Sequence, residues 1–321
     1  MRNNPFDQVY QVLNSGIAKN TSLDMPILID IEITNACNFN CLFCYTGARA
    51  HKRPTGFMSR ELYERIINEI APFKIPLRFI RWGEPMLHKD FFDFLQMAKG
   101  KKLMCHINTN GSLLDKGEIN RLIELELDSL KFSFQGTDEK TYGEMRYGES
   151  FSKLVETVKL FSELRGGLTY PYLHAATTIT YETPEMVQSF QDLLAPYCDL
   201  VTVGHTNLSY ISSDQTKLPE EAKKKLDILK RTETIEKKYK VCNEVYDKLS
   251  INWDGTVTAC CGDYDNYMLI GDLAKTSIQD IWKDSTALKR YRSLLSDNKH
   301  KSLPLCSTCY DTMGINANIS T

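Results

Sequence analysis

Three cysteines lie within a short segment near the start of the chain. Cys37, Cys41 and Cys44 are separated by three and then two residues, in the stretch CNFNCLFC. In a reducing compartment, thiols clustered in this way hold metal or do chemistry more often than they form disulfides. A structural zinc site takes four protein ligands, as does an iron–sulfur cube that only carries electrons. Three thiolates therefore predict either a zinc site completed by a distant ligand or a cube with one iron open to a small molecule.

A second group of cysteines lies near the C-terminus. Its members are Cys242, Cys260, Cys261, Cys306 and Cys309. Four thiolates can fully ligate either a zinc ion or an iron–sulfur cluster. The residues alone do not decide between the two. The other two cysteines, Cys105 and Cys198, stand alone in the sequence. We expect both of these to be small buried hydrophobic side chains.

The elements that must position these thiols alternate between strands and helices. The predicted strands span residues 27–33, 77–82, 102–108, 129–134, 173–179 and 200–203. The intervening helices show apolar residues at helical spacing and N-caps such as Ser59 and Thr183, the latter followed by Pro184. This alternation predicts an α/β fold with parallel pairing, built as a partial (β/α)6 barrel of the TIM type. Functional groups gather at the C-terminal ends of such strands, where the three-cysteine loop begins.

After residue 210 the pattern changes, and we divide the chain into four segments. They are an N-terminal extension (1–26), the partial barrel (27–215), a charged helical linker (216–241) and a small α+β domain that carries the second cysteine group (242–321). In the last segment, KLSINWDGTVTACC predicts a hairpin that turns at Asp254 and Gly255. No glycine-rich dinucleotide fingerprint follows a predicted strand, which argues against a nicotinamide-binding domain.

Composition excludes several classes of partner. Lys and Arg number 39 against 41 Asp and Glu, for a formal net charge of −2. This balance offers no electrostatic footprint for nucleic acid or an acidic membrane surface. The first residues contain no apolar segment typical of a signal peptide, and no apolar run is long enough to span a membrane. We therefore expect a cytoplasmic protein.

Over roughly residues 27–205, the three-cysteine loop and its β/α surroundings resemble the radical S-adenosylmethionine (SAM) superfamily. The resemblance implies that Cys37, Cys41 and Cys44 hold a [4Fe–4S] cluster whose open iron binds SAM. The reduced cluster would pass one electron to the sulfonium, and the resulting 5′-deoxyadenosyl radical would take a hydrogen atom from the substrate. An external one-electron reductant such as flavodoxin or ferredoxin is implied as a partner.

Later segments resemble the loops of this family that contact SAM. RWGEP (81–85) resembles the loop after strand two whose backbone receives the methionyl amino group. Trp82 replaces the first glycine that this loop usually has. By the same resemblance NTNG (108–111) meets the ribose, SFQG (133–136) and Arg146 hold the methionyl carboxylate, and Phe43 lies beside the adenine. The SAM-binding residues implied are Phe43, Gly83, Glu84, Pro85, Asn108, Thr109, Asn110, Ser133, Gln135 and Arg146.

The C-terminal cysteines resemble a SPASM domain in the shortened form called Twitch. The spacing from Cys242 through Gly255 to Cys260 matches its opening, and no cysteine follows Cys309. The resemblance implies one auxiliary [4Fe–4S] cluster held by Cys242, Cys260, Cys306 and Cys309. Cys261 is left either to replace Cys260 as a ligand, to donate a hydrogen atom as a thiol, or to pack.

Enzymes with a Twitch domain include dehydrogenases and dehydratases that act on cyclitols and sugars. The 36 residues before Cys37 are too few for the peptide-recognition domain of many peptide-modifying relatives, so we expect a small substrate. The expected reaction is a dehydrogenation with the auxiliary cluster as electron acceptor. Dehydration, epimerisation or peptide maturation are the alternatives. Candidate substrate or acid–base residues are His174, Tyr181, His205, Asn207 and Cys261, with Arg81 and Glu144 as similar cases.

Overall fold

A computed structural model describes residues 2–15, 23–206, 208, 211–232, 242–307 and 309. The strands are β1 (Leu28–Ile31), β2 (Leu77–Phe79), β3 (Cys105–Thr109), β4 (Ser129–Ser133), β5 (Tyr172–Ile179), β6 (Leu200–His205), β7 (Lys248–Ile251), β8 (Thr256–Thr258) and β9 (Leu269–Asp272). The first six fall on the six strands predicted from the sequence.

Helices separate these strands, and two of them, α2 and α7, begin at the predicted caps. They are α1 (Asp7–Ser15), α2 (Arg60–Ile70), α3 (Phe91–Gly100), α4 (Lys116–Glu124), α5 (Glu139–Met145), α6 (Phe151–Arg165), α7 (Pro184–Leu194), α8 (Glu220–Thr232), α9 (Glu244–Asp247), α10 (Ile278–Asp284) and α11 (Thr286–Ser296). The Ser59 side chain accepts a hydrogen bond from the Leu62 N–H, and Thr183 caps α7 in the same way. These two predicted caps are confirmed.

The described strands form a single sheet in the order β6–β5–β4–β3–β2–β1–β7–β8–β9. Every pairing from β6 across to β7 is parallel, whereas β7–β8 and β8–β9 are antiparallel. The predicted α/β fold with parallel pairing is confirmed, and so is the hairpin, since Gly255 adopts a positive φ of 85° between β7 and β8. The pairing of β7 with β1 was not predicted, and it makes the C-terminal strands a continuation of the barrel sheet.

Alternation along the central strands separates an apolar face from a polar one. Ile29, Phe79, Ile107 and Leu130 belong to the main buried core beneath the helices, together with Cys105. The opposite face is polar, as the parallel register aligns its side chains in rows across the sheet. We call Arg78, His106, Ser129 and Tyr172 the lower row, and Asn108, Lys131 and His174 the upper row.

Helix α1 covers the lower end of this polar face. Leu13 of this helix and Phe6, the residue just before it, pack against Leu28 of β1. Phe6 also contacts the His106 ring edge-on. Apolar burial therefore fixes the helix across the barrel opening. Among the described residues, no helix has the length and apolar character needed to cross a membrane.

Candidate active site

The three-cysteine loop leaves β1 and is pinned at its two ends. The Thr34 hydroxyl donates to the Gly56 carbonyl (2.8 Å), and the Asn35 side chain bonds both Pro54 and Gly56 across the loop mouth. Within the loop, a Cβ at Gly47 would lie 2.4 Å from the backbone nitrogen of Cys41. The loop is thus wound so tightly that only glycine fits there.

Inside this loop the three thiols act on one another electrostatically. Burial, together with the charges of Cys44 and Cys41, raises the pKa of Cys37 to about 12. Burial raises the pKa of Cys41 to about 11, although the charge of Arg146 opposes this rise. Buried thiols so close together ionise readily only when a cation binds them, so the donor set fits a metal cluster.

Arg146 lies against the cysteine loop as a buried cation. Its Nη1 is 3.7 Å from Cys41 Sγ, and its Nη2 donates to the Ser133 carbonyl (2.6 Å). The guanidinium carbon is 5.8 Å from the centre of the Phe43 ring, and Nε has no hydrogen-bond partner among the described residues. The structure thus brings Phe43, Ser133 and Arg146 to one side of the three thiols. A buried cation with an unused donor suits an anionic group such as a carboxylate.

The RWGEP loop packs directly on the other side of the cysteine loop. A Cβ at Gly83 would lie 2.1 Å from the Thr34 carbonyl oxygen, and the Glu84 N–H donates to the Ala36 carbonyl (2.8 Å). The Glu84 carboxylate accepts from the Thr109 hydroxyl (2.9 Å) and the Asn110 N–H (2.8 Å). Burial raises the pKa of Glu84 to about 7, while these hydrogen bonds act in the opposite direction. Glu84 therefore ties together the loops that follow β1, β2 and β3.

The remaining predicted SAM contacts occupy the same strand ends. Asn110 donates to the Asn38 side chain (2.9 Å) and Asn108 bonds the His106 ring (2.7 Å). The Gln135 side-chain amide donates to the Thr178 carbonyl (2.8 Å) and to the Thr206 hydroxyl (2.6 Å). These hydrogen bonds join the ends of neighbouring strands. Pro85 is buried beside Glu84. The set is assembled in space, and contact of each member with SAM stays a prediction.

The second cysteine group is also assembled in space. Burial raises the pKa of Cys242 well above its ordinary value, and the charges of Cys309 and Cys306 add to this rise. A hydrogen bond with Cys261 raises the pKa of Cys260, and the charge of Cys242 acts on it as well. Four thiols from distant segments therefore converge, which fits a fully ligated cluster. The ligand atoms of Glu244, Cys260 and Cys261 lie within 4.8 Å of one another, so Cys261 lies directly beside the predicted ligand Cys260.

Aromatic stacking joins the two cysteine sites. The Tyr45 ring, next to Cys44, stacks on Tyr264 with centroids 3.3 Å apart, and Trp82 contacts both rings edge-on. The Asp265 carboxylate accepts from the Lys52 N–H (2.6 Å), and Arg81 donates to the Asp263 carbonyl (2.6 Å). The C-terminal unit is thus docked on the cysteine loop through rings and charge-assisted hydrogen bonds.

A cavity of about 890 Å³ lies between the two sites. At one end it reaches Asn108, a predicted SAM contact, and at the other Cys260, Cys261 and Cys309. Its floor is closed by residues of the N-terminal segment and α1, namely Asn4, Asp7, Tyr10 and Asn14. Both polar rows of the sheet line its wall.

The structure sorts the predicted substrate candidates into two groups. His174 and Cys261 line the cavity, as does Arg81. Tyr181 is 44% exposed and its hydroxyl donates to Glu144, which also pairs with Lys225 at 3.0 Å. His205 is exposed at the end of β6. These last three candidates are not brought into the cavity lining, and Asn207 lies outside the described residues.

Several cavity residues were missed by the sequence analysis. Arg78, His106 and Lys131 line the cavity, and Glu244 lies beside Cys260 and Cys261. The available signal was a charged or polar residue at alternate positions of otherwise apolar strands, as in LRFIRW and SLKFSF. Such residues must face a polar interior when the other strand face is core.

Comparison with known proteins identifies the class. The Radical SAM superfamily model matches residues 31–194, and the SPASM iron–sulfur cluster-binding domain matches residues 242–310. The chain belongs to the radical SAM superfamily and carries a C-terminal SPASM domain, so the predicted resemblance is confirmed. Its cofactors are SAM, a SAM-binding [4Fe–4S] cluster and auxiliary iron–sulfur binding in the SPASM domain.

Among curated relatives, the tungsten-containing aldehyde ferredoxin oxidoreductase cofactor-modifying protein of Pyrococcus furiosus is 25% identical, over 87% of this chain and 86% of its own. PqqA peptide cyclase of Granulibacter bethesdensis is 21% identical, over 85% of this chain and 78% of the cyclase. BtrN in complex with AdoMet and 2-DOIA superposes with a TM-score of 0.57 at 18% identity, covering 89% of this chain and 93% of BtrN. Streptococcus suis SuiB bound to S-adenosylmethionine superposes with a TM-score of 0.67 at 18% identity, covering 96% of this chain and 78% of SuiB. At this identity the two structures establish the shared fold.

Proposed function

We propose that this radical SAM enzyme is an oxidoreductase that dehydrogenates a small hydroxylated substrate of the sugar or cyclitol kind. One observation carries the proposal: a single cavity connects Asn108, in the predicted SAM site, with Cys260, Cys261 and Cys309 of the auxiliary site. A substrate held there would lie between the source of a radical and an electron acceptor.

The size and lining of the cavity favour a small polar substrate. Its volume of about 890 Å³ falls within the range of small-molecule sites. Helix α1 closes the floor, and the polar rows offer hydrogen bonds along one wall. BtrN was crystallised with AdoMet and 2-DOIA, which supports a non-peptide substrate for this chain.

The reaction balances as a two-electron oxidation. When bound, SAM with its cluster would supply a 5′-deoxyadenosyl radical, and the auxiliary cluster would supply an acceptor for one electron. The substrate carbon loses a hydrogen atom to the deoxyadenosyl group, its hydroxyl loses a proton to a base, and one electron leaves, so a carbonyl forms. The electron consumed in SAM cleavage comes from an external reductant such as flavodoxin or ferredoxin.

This chain's residues hold and orient the substrate. His174 bonds the Thr202 hydroxyl through Nε2 (2.7 Å). Burial and the nearby charge of Lys131 lower the pKa of His174 to about 3, so the imidazole is neutral at pH 7. A group with that pKa is a poor general base, and we assign His174 a hydrogen-bonding role toward the substrate instead.

The proposal is tested with anaerobically reconstituted protein, a strong reductant and a panel of polyols, sugars and cyclitols. We expect 5′-deoxyadenosine, together with a product that has lost two hydrogens. Protein with its full iron content that forms no 5′-deoxyadenosine would contradict a SAM-cleaving role. Cleavage with no oxidised product from any member of the panel would contradict the substrate class.

Peptide maturation is the second candidate. It is supported by PqqA peptide cyclase among the sequence relatives and by SuiB bound to the precursor peptide SuiA among the structures. A short peptide encoded beside the gene, modified in the same assay, would favour this reading. Product mass separates the remaining alternatives, because a dehydration removes water and an epimerisation leaves the mass unchanged.

A further inference from the structure

The upper row of the cavity wall contains a lysine close to the reacting position. Lys131 lies in register with Asn108 on one side and His174 on the other. Ser133, a predicted SAM contact, is the next residue of β4 on the same face, about 7 Å along the strand. The Lys131 side chain lines the cavity. Lys131 is therefore one step below the predicted SAM site, on the side where the substrate is proposed to bind.

The charges around Lys131 do not cancel. Arg78 pairs with Asp30 through two hydrogen bonds, from Nε at 2.7 Å and from Nη2 at 2.9 Å. Arg81 lies 3.7 Å from Glu32 and donates to Asp263 and Thr258. The Lys131 ammonium, by contrast, makes no hydrogen bond or ion pair with any residue that the structure describes.

Arg78 adds a second donor to the same place. Its Nη1 has no hydrogen bond within the described part of the chain, and the residue lines the cavity beside Lys131. Arg78 and Lys131 together carry two positive charges against the single carboxylate of Asp30. Asp7 is the acidic lining residue, and it lies on α1 at the floor. Burying an unpaired ammonium in such a site is costly unless a ligand compensates it.

We propose that Lys131, assisted by Arg78, binds an oxyanion of the substrate, so that the substrate is a small hydroxylated acid or its phosphate ester. The inference rests on the proposed function for its placement of the substrate. A carboxylate or a phosphate provides the charge and the acceptor oxygens that these two donors lack. The hydroxylated carbon of such a molecule would extend from the anion toward Ser133 and the radical.

The test uses reconstituted holoenzyme with SAM bound, titrated calorimetrically with inorganic phosphate and, separately, with acetate. We expect one of the two anions to bind. Lys131→Met should weaken that binding roughly tenfold or more, since it removes a charge-assisted hydrogen bond. Lys131→Arg, which keeps the charge, should restore binding to within about threefold of the wild type. Lys116→Met removes an exposed lysine at the start of α4 and serves as the matched control.

The two anions distinguish a carboxylate substrate from a phosphorylated one. Wild-type protein that binds neither anion, or Lys131→Met protein that binds as the wild type does, would overturn the inference. Formation of 5′-deoxyadenosine by the wild type is measured separately. Its absence would count against the proposed function, whereas the anion titration reports on Lys131 alone.

Discussion

Glu84 shows how much of the site depends on one buried side chain. Its carboxylate accepts hydrogen bonds from Thr109 and Asn110, and its backbone N–H holds Ala36 of the cysteine loop. The residue is 3% exposed, so water cannot replace a lost partner. We therefore expect position 84 to influence SAM binding through the loops that it joins.

Replacing Glu84 with alanine should destabilise the protein and weaken SAM cleavage. The buried donors of Thr109 and Asn110 would lose their acceptor, at a cost of about 2–4 kcal/mol in the free energy of unfolding. Glu84→Gln keeps the size of the side chain and one acceptor oxygen, so its free energy of unfolding should fall clearly less. Urea denaturation and 5′-deoxyadenosine formation measure the two effects. An alanine variant as stable as the glutamine variant would show that these hydrogen bonds do not hold the loops.

The protonation of Lys131 predicts a pH dependence for anion binding. Burial and the charge of Arg78 lower the pKa of this lysine to about 8. Only the protonated lysine attracts an anion, so affinity for whichever of acetate and phosphate binds should be high below pH 8 and fall as pH rises through that value. The charged groups near Lys131 are Arg78, Cys261 and Asp30. Burial keeps the nearby imidazoles of His106 and His174 neutral by lowering their pKa. Calorimetry from pH 6.5 to 9.5 measures the fall, and Lys131→Arg should abolish it.

At the residue scale, the sequence predicted chemistry that is local in the chain. Cys37, Cys41 and Cys44 could be recognised from their spacing alone, because one loop carries the whole predicted ligand set. Lys131 and Arg78 could not be recognised, since each is an isolated charge in a strand. They share a cavity wall only because the strand register aligns residues separated by dozens of positions in the sequence.

At the scale of elements, the packing of two loops against each other fixes the cysteine loop. Gly83 approaches the Thr34 carbonyl so closely that a methyl group at 2.1 Å cannot be accommodated. Gly83→Ala should push the loops apart and reduce occupancy of the SAM-binding cluster, which accounts for about four irons per chain. Iron analysis and the absorbance of the reconstituted protein measure this. Gly100→Ala, at a glycine with open space around it, is the matched control. Equal iron in both variants would contradict the role of this close approach.

The elements themselves were predictable where periodicity is strong. β1 to β6 and the caps Ser59 and Thr183 follow from alternation and helical spacing, which are properties of short windows. The pairing of β7 with β1 joins residues more than two hundred positions apart, such as Leu28 and Lys248. Nothing in either segment specifies the other, because an edge strand offers the same backbone groups to any partner.

At the scale of the whole molecule, the two cysteine sites form one assembly around the cavity. The Tyr45–Tyr264 stack and the β1–β7 pairing join the N-terminal and C-terminal halves independently of any cluster. Loss of the auxiliary cluster should therefore leave the cysteine loop in place. This separation allows the role of the auxiliary site to be tested without dismantling the radical site.

The double variant Cys306→Ala and Cys309→Ala tests the role of the auxiliary cluster. Two of the four predicted ligands vanish, so the auxiliary cluster should be lost and its local fold should loosen, because metal binding and folding are coupled. If the cluster accepts the substrate's electron, 5′-deoxyadenosine should still form while the oxidised product disappears. Chromatography of both products measures this, and circular dichroism with iron analysis checks that the barrel is intact.

The matched control is the triple alanine variant of Cys37, Cys41 and Cys44. It should lose about four irons and all 5′-deoxyadenosine while its auxiliary site survives. The two variants thus separate radical generation from electron acceptance. Undiminished oxidised product from the double variant, with its auxiliary iron gone, would refute the acceptor role. Retained turnover to a product that is not oxidised would instead favour a redox-neutral reaction. In such a reaction the substrate radical would end by regaining a hydrogen atom, and Cys261, the thiol in the cavity wall, is placed to donate it. Cys261→Ala should then stop turnover that the double variant had retained.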